Sequence, residues 1–150
     1  MDVAVTIRND VVYMTQNGDY DVGAYLRAVA ELLRMPDYVC GMPIIVDARG
    51  LTTPASGQQL QAVRTGLDGP LLRDFRPRRY ATVSTSAAGH LQTKLAATLI
   101  ADRIGDAPAD FELQHFLSVE AAEDWLRAAS RDSTASPAET DARVLPRSSE

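Results

Sequence analysis

Pro43-Ile44-Ile45-Val46-Asp47-Ala48-Arg49-Gly50-Leu51 is the stretch that decides the architecture. From Pro43 to Ala48 it is short and almost continuously apolar. A strand with one wet face alternates apolar and polar residues. A strand covered on both faces has no reason to alternate, and such strands belong to parallel sheets packed between helices. Arg49-Gly50-Leu51-Thr52-Thr53-Pro54 then reads as a loop.

Working outward, strand and helix patterns alternate. Upstream, Val22, Tyr25, Leu26, Val29, Leu32 and Leu33 are spaced three or four apart, which predicts a helix over 22–34, capped by Asp21 and stopped by Pro36. Before it, the β-branched runs Val3–Arg8 and Val11–Thr15 flank Asn9-Asp10, a two-residue turn pattern, and predict a hairpin broken by Gln16-Asn17-Gly18-Asp19. Downstream, a second helix begins near Ala55 and runs through Leu60, Val63, Arg64 and Leu67, with Gly66, Gly69 and Pro70 weakening its end. Tyr80–Ser84 reads as a strand, 91–104 as a long helix ended by Gly105, and Phe111–Leu117 as a last strand. Ser118 then caps a final helix from Val119 to about Ala129.

The order β-β-α-β-α-β-α-β-α predicts an α/β single domain over residues 1–130. Its sheet is mixed and mostly parallel, of about five strands, with four helices. From Arg131 to Glu150 the chain carries four Ser, two Thr, two Pro and seven charged residues, with Val144 and Leu145 as its larger apolar groups. Too little apolar area is available there to offset the entropy of ordering, so a disordered tail is expected at 131–150.

Composition narrows the function classes. At 45% hydrophobic and 23% charged, the 150 residues are those of an ordinary globular protein. The net charge of -5 argues against broad nucleic-acid binding, which needs a dense basic face. Arg73, Arg76, Arg78 and Arg79 are the densest basic group, and Asp68 and Asp74 dilute it into a solvated loop. One cysteine, Cys40, forbids an internal disulfide, and two histidines make a Cys/His zinc site a poor expectation. No leader pattern or run of about 18 apolar residues is present, so the expectations are a cytoplasmic address and no integral membrane span.

In a parallel α/β sheet, ligands and partners gather at the carboxyl ends of strands, beside helix N-termini. Two loops qualify. The first holds Asp47, Thr52, Thr53, Ser56 and Gly57. Its hydroxyls can cap a helix, bind an anion or accept a phosphoryl group, capping being the commoner role. Asp47 reads as a structural acceptor, since no second carboxylate accompanies it for acid–base work. The second loop runs from Ser84 through Ser86 to His90 and lacks the lysine-bearing phosphate-loop pattern. His90 reads as a solvated or capping histidine with a neutral-pH switch as the sharper alternative, and His115 as a core-edge histidine with a satisfied hydrogen bond. No nucleophile elbow occurs, and Cys40 has no assignable base. No catalytic group, metal or cofactor is expected.

Three segments carry a family likeness: Ile44–Leu51, the Ser56-Gly57 helix start, and Phe116-Leu117-Ser118-Val119-Glu120-Ala121-Ala122-Glu123-Asp124-Trp125-Leu126. Over residues 1–130 the chain resembles the STAS family of anti-sigma-factor antagonists, and more closely its divergent SpoIIAA-like group. The family's D-S-S-G segment opens the second helix, and its second serine is phosphorylated by a partner kinase. Laid without gaps from Asp47 and Gly50, Ala55 stands at the acidic position, Ser56 at the first serine and Gly57 at the phosphoacceptor position. A one-residue slip makes Ser56 the acceptor. The resemblance therefore implies a non-catalytic regulatory or protein-binding module without the usual phosphoserine switch. The alternative it implies is a protein that binds a small apolar molecule or lipid, as some SpoIIAA-like relatives are suggested to do. A homodimer stays open.

Overall fold

The computed structural model describes residues 1–70, 72, 74–87, 89–90 and 111–141, without the side chains of 130 and 132–141. The elements run β1 (Asp2–Arg8), β2 (Val11–Asp19), α1 (Val22–Arg34), β3 (Ile44–Thr53), α2 (Gly57–Leu67), β4 (Arg79–Val83), β5 (Glu112–Phe116) and α3 (Val119–Asp141). The five strands lie side by side in chain order. β1 pairs antiparallel with β2, and every later pairing is parallel, as the sequence predicts for a mixed α/β sheet. Three helices stand among the described residues, and the helix expected over 91–104 lies outside them.

Strands laid down in chain order with right-handed crossovers put successive connecting helices on the same face of the sheet. α1 and α2 accordingly share one face. They pack with Val12, Met14, Ile44, Val46 and Tyr80 in a single cluster. The opposite face is closed by α3, whose Ala122 and Leu126 meet Ile45, Ala81 and Val83. The deciding stretch does what its apolar run implied: Ile44 and Val46 point to one layer and Ile45 to the other, all at most 4% exposed. Between α1 and the sheet the hydroxyls of Tyr25 and Tyr80 lie 3.4 Å apart, a polar pair inside the apolar layer.

The hairpin turn is of the expected kind. Asn9 and Asp10 both have positive φ, 52° and 61°, the left-handed pair that a two-residue turn needs to match the strand twist. Asn and Asp tolerate that region better than other side-chain-bearing residues.

Two boundaries differ from the sequence reading. β2 continues through the expected break at 16–19, and β3 continues through the expected loop at 49–53. The two segments sustain each other: Asn17 pairs with Gly50, Gly18 with Leu51 and Asp19 with Thr53, across register shifts that absorb the poor strand formers. Backbone pairing overrides local preference here, because unpaired amides between the two strands would be costly. Gly50 fits this approach. A side chain there would stand 2.9 Å from the Gln16 carbonyl oxygen and would overlap the Asn17 side chain.

A third difference is the C-terminal boundary. α3 starts as expected, with the Ala121 amide donating to Ser118 Oγ at 3.1 Å, but it runs to Asp141 instead of ending near Ala129. Residues 131–141 of the expected tail therefore have helical backbone, and 142–150 lie outside the described residues. Once Val119–Leu126 is fixed against the sheet, each added helical residue gains a hydrogen bond without a new nucleation cost. Low apolar content argues against packing and not against helix.

Candidate functional site

Most of the loop residues singled out in the sequence lie in two places at the carboxyl ends of the strands, but Asp47 is the fourth residue of β3, level with Val83 at the end of β4 and on the Ile45 face of the sheet. The first lies where β2 and β3 end. Thr52 Oγ1 and Thr53 Oγ1 both donate to Asp19 Oδ1, at 2.5 and 3.1 Å, and these two hydroxyls hold the Asp19 carboxyl below its ordinary pKa. Asp19 is a member of this group that the sequence reading missed. It lies 33 residues from Thr52 and is brought there by the parallel register of β2 and β3.

Asp47 is bound by Arg49 in a fork: Nε donates to Oδ1 at 2.9 Å and Nη2 to Oδ2 at 2.7 Å, with the Arg49 amide adding a third bond to Oδ1. The Arg49 side chain lowers the Asp47 pKa, partial burial opposes this, and the backbone bond reinforces it. A carboxylate so engaged is a poor proton acceptor, in keeping with the structural reading.

Ser56 is the N-cap of α2. Its Oγ accepts from the Gln59 amide at 3.1 Å, and Gln59 Oε1 accepts from the Ser56 amide at 2.8 Å, a reciprocal capping box. Gln59 also donates from Nε2 to the Tyr20 carbonyl at 3.2 Å, tying the cap to the end of β2. Gly57, the next residue, has nothing within 4 Å of where a side chain would begin, so this helix start faces open space. Ser56→Ala is expected to cost about 1 kcal/mol by deleting the cap, and Ser56→Asp, which restores an acceptor, less than half of that. Urea unfolding of the two variants checks the order, and equal losses would contradict the capping role.

The second group lies where β4 and β5 end. Ser86 Oγ accepts from the Gly89 amide at 2.9 Å and stands 3.4 Å from Ser84 Oγ, so Ser86 caps the turn that begins at residue 87. His90 is exposed, but its ring is not simply solvated: Nδ1 lies 3.3 Å from Nδ1 of His115, with the rings nearly perpendicular. The two histidines are 25 residues apart, and no sequence spacing marks them as neighbours. The expectation of a satisfied His115 holds only at one nitrogen. Its Nε2 is buried without a hydrogen-bond partner.

Burial lowers the His115 pKa from its ordinary 6.5, the charge of His90 lowers it further, and the Ser84 backbone opposes both. A base whose folded pKa is depressed is protonated more readily in the unfolded chain. His115 therefore costs stability as the pH falls from 6.5 toward its lower folded value, and costs nothing above. Wild type is expected to lose more stability than His115→Gln between about pH 7 and about pH 5.5. Chemical melts at the two pH values test this, and parallel losses would refute it.

Of the arginine group, Arg76 and Arg78 are exposed, Arg79 Nη2 approaches Glu112 at 3.9 Å, and Arg73 lies outside the described residues. Among the described residues no cluster of three or more His, Cys, Asp or Glu is placed to hold a metal, and no helix is long and apolar enough to cross a membrane.

A third feature lies away from both places. An open groove of about 770 Å³ runs beside α1, walled by Leu26, Ala30 and Leu33 on one side and by Pro70 and Leu72 on the other. Nothing in the sequence shows that the segment after α2 folds back to complete a wall.

No family model and no curated protein matches this chain. Among solved structures, it is similar to an uncharacterized protein of the DUF3478 family with a SpoIIAA-like fold from Shewanella loihica PV-4, at 16% identity. The match covers 83% of this chain and 91% of that one, with a TM-score of 0.49. At that score the likeness is one of outline, and the α/β assignment stands on the strand order and pairings themselves.

Proposed function

We propose that this chain is a non-catalytic regulatory or protein-binding module whose docking surface is the exposed start of α2 and the strand ends around it. The observation that carries this reading is how the polar groups there are used. Thr52 and Thr53 donate to Asp19, and Ser56 is locked in a capping box. Groups held this way present a fixed polar surface, while chemistry would need a nucleophile aligned with a base. Gly57 leaves the helix start open to a partner's backbone. Ser56 carries the only hydroxyl at this helix start, and a phosphate on it would gain from the helix dipole but displace the existing cap.

Retention on the immobilised protein tests the reading. Wild type is expected to retain a defined protein from its native host, and Gly57→Trp, which fills the open helix start, to lose it. Ser56→Asp, which keeps a cap and adds charge, is expected to change the amount retained. Failure of all three to retain anything would overturn the proposal.

The groove beside α1 favours a second reading, a small apolar ligand, because its size is that of ordinary ligand sites. Native mass spectrometry tests it, a bound mass on the purified protein being the expected result and a clean apo mass with no lipid-dependent thermal shift the contrary one.

A further inference from the structure

We infer that the groove beside α1 binds a free fatty acid, a single acyl chain whose carboxylate is held by Arg34, with Arg27 beside it. The inference rests on the second reading above and makes it specific. Leu26, Ala30 and Leu33 recur at helical spacing and form the apolar wall on α1, and the facing wall is Pro70 and Leu72. From Leu26 to Arg34 this wall is about 12 Å long at 1.5 Å per residue, a length that suits one extended chain. Gly66 sets its depth: any side chain there would run into Leu26.

Charge decides the head group. Arg27 and Arg34 both line the groove and lie seven residues apart, hence on the same side of the helix. Both are exposed, and neither forms an ion pair among the described residues. Arg27 leans toward Asp21, the cap of α1, whose pKa it helps to lower. Arg34, in the last turn, forms no ion pair among the described residues and is the cation placed to hold the head group. Among the described residues Asp74 is the one acid lining the groove, so two positive groups face one negative group there, which suits a monoanion. Its carbonyl is already taken by the Tyr38 hydroxyl at 3.4 Å and the Cys40 thiol at 3.6 Å.

Cys40 lines the same groove, is exposed, and is the single cysteine of the chain, so it reports on occupancy at this place. Laurate, kept below its micelle concentration, is titrated calorimetrically into the full chain, and the rate at which a maleimide alkylates Cys40 is followed with and without it. Binding at one site and a several-fold slower alkylation are expected. Arg34→Gln should weaken laurate about 10-fold, the loss of one charge-assisted contact. Shortening the acid by two methylenes should weaken it about 10-fold as well. Ala30→Trp, which fills the slot from an incompletely buried position, should abolish both binding and protection, with circular dichroism confirming that each variant is folded.

Monolaurin, the uncharged ester, separates the claims. If it binds as tightly as laurate, the apolar-ligand reading stands and the fatty-acid assignment is overturned. If neither binds, both fall. Binding that leaves Cys40 alkylation unchanged, or that survives Ala30→Trp, overturns the location.

Discussion

Leu32→Ala will lower the unfolding free energy by about 3–4 kcal/mol and the melting temperature by roughly 6–16 °C. Leu32 has no exposed surface and sits on the buried stripe of α1 with Tyr25, Ala28 and Val29. That stripe faces Val12, Met14 and Ile44 of the sheet, which are themselves fully buried. Neighbours so confined cannot collapse into the space a leucine leaves, so the cavity cost adds to the lost transfer energy. Thermal and urea melts measure the effect. A loss below about 1 kcal/mol would mean that α1 does not pack on the sheet as described.

Ala122→Glu will have an effect of similar size on the opposite face, about 3–5 kcal/mol, by placing a carboxylate in an apolar seam without a partner. Ala122 is completely buried between α3 and Ile45, Ala81 and Val83. No larger side chain fits there without moving the helix. The readout can be local, because Trp125 is the only tryptophan and lies one turn further along α3, with its ring 5.4 Å from that of Phe116. The expected result is red-shifted Trp125 emission at low urea, before the α1 side of the sheet unfolds. An unshifted spectrum with wild-type stability would show that α3 does not cover this face. Tyr13 gives a second local probe, since its hydroxyl donates to Glu123 Oε2 at 2.7 Å across the same seam.

The two proposed sites lie at opposite ends of α2 and so do not interfere with each other. The docking surface lies at the strand ends around Ser56 and Gly57, while the groove lies along α1 and the segment after α2. A partner at the first leaves Arg34 and Cys40 free, so retention of a protein and protection of Cys40 are separable measurements. The exposed Val39, 65% accessible, adjoins Cys40 in the chain and adds apolar surface near the groove.

What the sequence determined by itself is everything that short-range forces settle. The period of Val22–Leu33 and the oxygen of Asp21 define α1 to the residue, because a helix is closed by bonds four residues apart and capped within its first turn. Asn9-Asp10 specified the hairpin turn, since few residues accept the backbone it needs. The unbroken apolar run at Ile44–Val46 announced a strand covered on both faces. Only the tertiary structure decided which groups meet across long separations: Asp19 with Thr52 and Thr53, His90 with His115, and the wall of α1 with Pro70 and Leu72. It also overrode local preference at Gln16–Asp19 and Arg49–Thr53, where poor strand formers became strands. The reason is the same in each case. Backbone amides brought side by side must pair, and the register that pairs them fixes which distant side chains share a surface, a quantity that no local window of sequence contains.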